Sequence, residues 1–599
     1  MYCRARFSVV KPAPSALGAP TRWGTHARTG WRLGAAAALS LLVACGGGGG
    51  NEAATPAALP VLVVKTTLSG TAATGAAMSG ATVRVKCVAG TGAATAASSG
   101  TYAVELNGAT LPCVVSATST DGATVLHSLV NPEGGNTQTI NINPLTELLV
   151  ARVAAASPAS LYSGFGAATA ARVTAASIAS AAASVVATLR EGGVDFSAVG
   201  NPITAPLVAA TATTTGNAYD QALDALAARL RTANTTLAQL ATQVAAAAAP
   251  ASGTATAVGL PPAMLLQPAS PTCAALRSGT YRLINPDETE RDWASSLMQL
   301  NAVTGVVTFR DGSSSNISSD GACIYKNDAF KLRMVVSQGG VMVWTSYVDN
   351  LAKQVLAIAF PEQPATLADL AGTWNILEFS NIQQQTPATP LWINDFTLAE
   401  FAADGRHLSL LECFGLQPCT PVASPLGTIR VSAQGGLDYV NADGNNARIF
   451  IYRPASGDPM MVLVQPNSFF AIGSLRRTVA ARPLGETWST YSLGMVSNGS
   501  AASAFSDADY RVSALDVATQ SYTRQAVSDG NAQAFTVNKP RDGLIYRAAG
   551  SGTLNSGAVV TFNDLIVMPL AGTGLSVYGA VTTDNTRNQG GFGFVVNKP

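Results

Sequence analysis

Between Cys273 and Pro599, short stretches of alternating apolar and polar residues recur with Gly, Asn and Asp between them: GVVTF, FKLRMVV, VMVWTSYV, RIFIYR, MMVLV, GLSVYGAV and GFGFVV. Side chains on a strand point to opposite faces in turn, so a period of two marks a strand. Short strands separated by turn residues predict an antiparallel all-β region. A longer pattern overlies this one. LRSGTYRL (276–283), LAGTWNIL (370–377) and LGETWSTY (484–491) each place a Gly before Thr and an aromatic residue. Tyr281 and Trp374 are 93 residues apart, and Trp374 and Trp488 are 114 apart. The blocks also end alike, in VLAIAF, SFFAIGSL and GFGFVVNKP. The region therefore reads as three related β-units, 272–366, 367–480 and 481–599. Barrels, sandwiches and blades of one larger assembly all satisfy this pattern.

Leu370-Ala371-Gly372-Thr373-Trp374 resembles the opening strand of lipocalin-like barrels. The resemblance implies that the tryptophan packs across a closed barrel end. It also implies an up-and-down barrel whose interior can hold a ligand.

The first half of the chain has a different rhythm. In GATVRVKC, Val83 and Val85 alternate with Arg84 and Lys86, and GTYAVEL alternates in the same way. Residues 61–141 are thus expected to form a small antiparallel sandwich. SGTAATGAAMSGATVRVKC…SSGTYAVEL resembles the carboxypeptidase regulatory-like, prealbumin-like domain, with Met78-Ser79 where a proline often stands. Such domains serve as rigid spacers, so the resemblance implies no peptidase activity. From 142 to 250 the chain is Ala-rich. Pro144 suits a first helical turn that Asn143 can cap. Leu223, Leu226 and Leu230 share one helical face, as do Leu237, Leu240 and Val244. This is a helical spacer, and 251–271, rich in Pro, Ala and Gly, is expected to be a linker.

At the start, residues 1–32 carry Arg4, Arg6, Lys11, Arg22, Arg28 and Arg32 and no acid, and an apolar run extends from Leu33 to Ala44. That is the form of a secretory signal, too short for a membrane span. Leu42-Val43-Ala44-Cys45 resembles the lipobox of bacterial lipoproteins. The resemblance implies a signal peptide over 1–44, lipid on the Cys45 thiol, and sorting to the outer membrane in the absence of a following aspartate. Residues 45–60, with five glycines directly after Cys45, are a flexible tether.

An exported chain can hold disulfides. The remaining cysteines fall as neighbours: Cys87 and Cys113, Cys273 and Cys323, Cys413 and Cys419. Six cysteines allow about 15 connectivities. The sequential one avoids crossings between units and is the expected one, with free buried thiols as the alternative.

Chemistry is sparse. Charged residues make up 12% of the chain, about half the usual ~25%. From Cys45 onward acids exceed bases by five, so nucleic acid is not an expected partner. His127 and His407 lie far apart and no CxxC pair occurs, so no metal site or cofactor is expected. No nucleophile elbow, phosphate loop or zinc helix is present. The densest acidic stretch, Asp287, Glu288, Glu290 and Asp292, follows the turn signal Asn285-Pro286. A solvated loop is its ordinary reading, and a cation site or a carboxylate pair acting on surface glycans are the others. Asn441-Ala442-Asp443-Gly444-Asn445 lacks the glutamate of a calcium loop and reads as a hairpin.

The expectation is therefore a mainly β, multidomain envelope lipoprotein. A sandwich, an Ala-rich helical spacer and about three β-units would present a binding or structural module without catalytic residues. The membrane is a partner through the lipid; a cell-surface partner is the main further expectation. A carrier of a small apolar ligand and a carboxylate-dependent enzyme are the alternatives.

Overall fold

The computed structural model describes residues 64–248, 258–284, 295–348, 353–381, 392–413, 416–422, 426–440, 446–465, 469–495, 503–581, 588–589 and 591–598. The chain is mainly β and multidomain. Cys45 and its glycine tether lie outside the described residues.

The first strands form two layers. One sheet is ordered Thr101–Asn107, Lys65–Thr71, Thr137–Thr139, and the other Thr91–Thr95, Thr82–Ala89, Thr110–Thr118, Val125–Val130. Along Thr101–Asn107 burial alternates residue by residue, with Tyr102, Val104 and Leu106 inside. Such alternation is what a half-buried strand requires.

Helix Pro144–Ala154 begins where Asn143 Oδ1 accepts the amides of Leu145 (2.9 Å) and Thr146 (3.1 Å). Thr146 Oγ1 accepts the Asn143 amide in return (2.9 Å). The cap satisfies donors that have no partner within the first turn. The helices do not stand apart from the sandwich as a spacer would. Leu149, Val150, Ile178 and Ala181 share one core with Val83, Val115 and Leu129. Alanine explains this, because a helix faced with short side chains can lie close on a sheet. Residues 258–271 also depart from the expected linker. Leu260, Leu265 and Leu266 are buried against Leu226, Leu240 and Phe196. The apolar content of GLPPAMLL outweighed its prolines, which sit in and before a single 3-10 turn, Pro262–Leu266.

Arg277 fastens this region to the first β-unit. Only 4% exposed, it donates from Nη1 to the carbonyls of Ala233 (2.8 Å) and Gln267 (3.0 Å) and to Thr235 Oγ1 (3.2 Å).

Each later unit is a rolled antiparallel sheet. In the first, strands Gly279–Ile284 and Lys353–Pro361 pair at the middle, and the two sheet edges are Ser314–Asn316 and Ser318–Gly321. Only Ile317 separates these edge strands. Two Cα steps span at most about 7.6 Å, so the sheet curls until its edges meet, and the two short pieces act as one strand. The second unit repeats the order as a barrel-like rolled sheet, with Gly372–Asn381 paired to Phe469–Leu475 and edges, unpaired among the described residues, at Thr420–Pro421 and Thr428–Val431. The third is a closed eight-stranded barrel that begins with Thr487–Met495 and ends with Phe592–Asn597, with hairpin Gly550–Thr553 and Val559–Phe562 inserted. A barrel has no open edge left to aggregate.

The three barrels are not beads on a string. Their outward residues pack into one core: Val343, Ile358 and Phe360 from the first, Phe379, Phe450 and Phe470 from the second, Ile566, Val577 and Phe594 from the third. Alternate residues on the same strands point into each barrel. Such strands are buried on both faces, which explains why FFAIGSL and VLAIAF show little alternation. Arg282 adds a polar tie, with Nε donating to Glu362 (2.9 Å) while its guanidinium lies 4.4 Å from the Phe450 ring centroid.

Candidate functional site

The Gly-Thr-aromatic openings sit at the start of each barrel. Gly279 and Gly372 have φ of 152° and 125°, which a side chain rarely adopts. In the first barrel the Tyr281 hydroxyl donates to the Arg277 carbonyl (2.8 Å); in the second, Trp374 Nε1 donates to the Leu370 carbonyl (2.7 Å). Both aromatics are fully buried and both reach the carbonyl four residues back. The third opening differs. Trp488 is only partly buried, and the Arg482 guanidinium lies 4.2 Å from its ring centroid.

The interiors differ in the same way. Inside the first barrel Tyr281, Met298, Met334, Met342 and Trp344 are buried against one another. Inside the second, Trp374, Phe401, Ile449, Ile451 and Met461 do the same. In the third, the packed interior cluster is small: Val512, Tyr522, Phe535 and Val537.

Strand registers identify the rest of that third interior. Trp488 lies opposite Tyr510, Val512 opposite Arg524, Arg524 opposite Gln533, Arg547 opposite Leu565, and Tyr578 opposite Gly593. The other face of Thr487–Met495, Ile545–Arg547, Leu565–Leu570, Leu575–Ala580 and Phe592–Asn597 packs on the neighbouring barrels, and the register carries the lumen face on across Ser503–Asp516, Ser521–Ala526 and Ala532–Val537, whose outer face (Arg511, Ala532, Ala534) is exposed. Tyr510, Arg524, Gln533, Arg547 and Tyr578 point inward, yet each keeps partial exposure.

The two arginines converge. Arg524 Nη2 donates to Gln533 Oε1 at 2.7 Å, and Arg547 Nη1 donates to the same oxygen at 3.3 Å. The Arg524 guanidinium lies 4.1 Å from the Tyr510 ring centroid and 4.8 Å from that of Phe535. Arg547 Nη2 reaches the Asn563 carbonyl (2.7 Å), and its Nε is buried without a hydrogen-bond partner. Burial pulls the Arg547 guanidinium down to about 10, and Arg524 adds to the shift. Burial also lowers Arg524 and pushes Tyr578 up to about 12.

The ends of this barrel are unlike. At one end the Thr573 carbonyl accepts the Gly339 amide and the Gly572 carbonyl accepts the Gly259 amide, so the end abuts other parts of the fold. The opposite end carries turn 527–531 and the inserted hairpin, with Val527 59% and Val559 67% exposed.

The residues singled out in the sequence are distributed elsewhere. Disulfides join Cys87 to Cys113, Cys273 to Cys323, and Cys413 to Cys419. Cys45, Asp287, Glu288, Glu290, Asp292 and the loop 441–445 lie outside the described residues. His127 is buried on its strand, its amide donating to Glu147 Oε2 (2.6 Å) and Nδ1 lying 2.9 Å from the same oxygen. His407 stacks on Phe401, and burial lowers its pKa. Among the described residues no three His, Cys, Asp or Glu side chains gather as metal ligands. A shallow groove on the sandwich runs past Arg84, Lys86 and Tyr162, and Lys86 Nζ there already donates to the Ser163 carbonyl (2.8 Å).

Sequence reading missed Arg277, Arg524 and Arg547. The signal for Arg524 lay in SYTRQA, where Tyr522, Arg524 and Ala526 share one phase. An arginine in the apolar phase of a strand is the observation to look for.

No family model matches the chain, and no curated protein matches it. Among solved structures, it is similar to transferrin binding protein B from serogroup B Neisseria meningitidis, at 12% identity and a TM-score of 0.19 over 54% of this chain and 63% of that one. A Trp-176-Ala mutant of transferrin binding protein B from Haemophilus parasuis Hp5 aligns at 8% identity and a TM-score of 0.17, covering 53% and 75%. A protein of unknown function from Nostoc punctiforme aligns at 10% identity and a TM-score of 0.14, covering 39% and 99%. Scores of this size fall below the level at which two chains share an overall fold. The chain spans less than two thirds of the length of the Neisseria protein.

Proposed function

We propose that this chain is a lipoprotein of the bacterial cell envelope, held at the outer membrane by lipid on Cys45. In this reading residues 64–599 are a binding module to which no reaction is assigned. The sandwich acts as a regulatory-like stalk domain, and the three fused barrels carry the binding surface. The observation that supports a binding role is the third barrel. Inward Trp488, Tyr510, Arg524, Gln533, Arg547 and Tyr578 stay partly exposed beside a small buried cluster, while the large side chains inside its neighbours are buried, and its free end presents Val527 and Val559. A shared core gives that end a fixed direction, as a receptor surface needs. A second reading, a carrier of a small ligand, is favoured for the third barrel alone by the same exposed interior.

The anchor is tested by membrane fractionation of cells expressing the full chain and its Cys45→Ala variant. The expected result is wild type in the membrane pellet and the variant in the soluble fraction. A variant that stays with the membrane would sink the lipoprotein reading.

A further inference from the structure

We propose that the lumen of the third barrel binds a small organic anion, its acidic group on Arg524 and Arg547 and its flat apolar body on the aromatic floor. This rests on reading the third barrel as a ligand barrel and is independent of the lipid anchor.

The charges inside this barrel are unbalanced. Two guanidinium groups point into one lumen and share one neutral oxygen, Gln533 Oε1. Among the described residues neither forms an ion pair with a carboxylate. Asp564 acts on Arg547 only at longer range, and it accepts the Tyr546 hydroxyl and the Ala549 amide. Like charges drawn out of water repel, and each loses hydration that a neutral acceptor replaces only in part. The faces of Tyr510 and Phe535 return about 0.5–2 kcal/mol per contact. They do not neutralise the charge.

A planar acid supplies what is missing. A carboxylate accepts from two guanidinium groups at once, and such charge-assisted bonds are among the strongest in proteins. The Arg547 Nε has no other partner to give up. Beside the arginines the partly exposed rings of Trp488 and Tyr510 lie 5.6 Å apart, backed by the buried pair Tyr522 and Phe535, whose centroids are also 5.6 Å apart. These rings form a floor for an apolar or aromatic body. A neutral or cationic ligand of the same shape would leave the arginine pair uncompensated, so charge sets the specificity.

The test is isothermal titration of the full chain with 2-naphthoate and with 2-naphthamide, its neutral counterpart. The acid is expected to bind about tenfold more tightly, the worth of one charge-assisted hydrogen bond. Arg524→Gln and Arg547→Gln should each bring the acid down to the level of the amide. Arg511→Gln, on the outer face beside Gln525, should change nothing. Gln533→Glu guards against loss of folding in the arginine variants. It places a carboxylate between the guanidinium groups and should raise the melting temperature while abolishing the preference for the acid. Absence of acid binding, equal binding of acid and amide, or a preference that survives Gln533→Glu would each overturn the proposal. The Cys45→Ala protein should titrate like wild type, so failure of the anchor and failure of the lumen site are read separately.

Discussion

Replacing Arg277 removes the donor to the carbonyls of Ala233, Gln267 and Ala274 and to the Thr235 hydroxyl at the junction between helices and first barrel. Arg277→Met is therefore expected to cost about 3 kcal/mol, the usual price of stranding buried polar groups, read as a shift in the urea midpoint. Asp220 makes a different prediction. It is 1% exposed in the first turn of Ala218–Thr232, and burial raises its pKa above the ordinary carboxylate value. Its protonated form is favoured in the folded state, so its contribution is full below the unfolded pKa and is lost as pH rises through the folded one. Asp220→Asn should raise the melting temperature at pH 7 and change it little near pH 4; the opposite order would refute this account. At this scale the caps were legible, because Asn143 and Pro144 act through their immediate neighbours. Arg277 was not, since its acceptors lie as many as 44 residues away in the chain and no local pattern marks them.

Elements show where pattern reading works and where it stops. The alternation in TYAVELN predicts a strand with one buried face, and the strand obeys it. The residues near 258–271 read as linker because proline and glycine dominate local propensity, while tertiary burial of Leu260, Leu265 and Leu266 decided the outcome. The disulfides permit a ranking. Cys273–Cys323 closes a separation of 50 residues and Cys413–Cys419 one of 6. Chain entropy assigns them about 4 and about 2 kcal/mol. Paired serine substitutions should thus lower the melting temperature more at the first bridge than at the last. The barrel openings yield a second contrast. Trp374 is fully buried and hydrogen-bonded, whereas Trp488 is partly exposed. Trp374→Leu should destabilise by about 3 kcal/mol and Trp488→Leu by clearly less in the same denaturation assay. Equal losses would mean that the third barrel is as tightly filled as the second.

At the scale of the whole molecule, the repeat of three openings was visible in the sequence, but the fusion of the barrels was not. Nothing in a single strand tells an outward apolar residue from an inward one when both faces are buried, as in Phe469–Leu475. The sharing of one core turns three barrels into a body whose ends keep fixed directions, and the binding account depends on it. Scanning calorimetry of the full chain and its Phe594→Ala variant tests this most directly. Phe594 is fully buried in the core common to all three barrels, and its truncation should cost about 3–5 kcal/mol. The account predicts that the barrels melt together in one endotherm that moves to lower temperature as a unit. Separate barrel endotherms, of which only one moves, would contradict it.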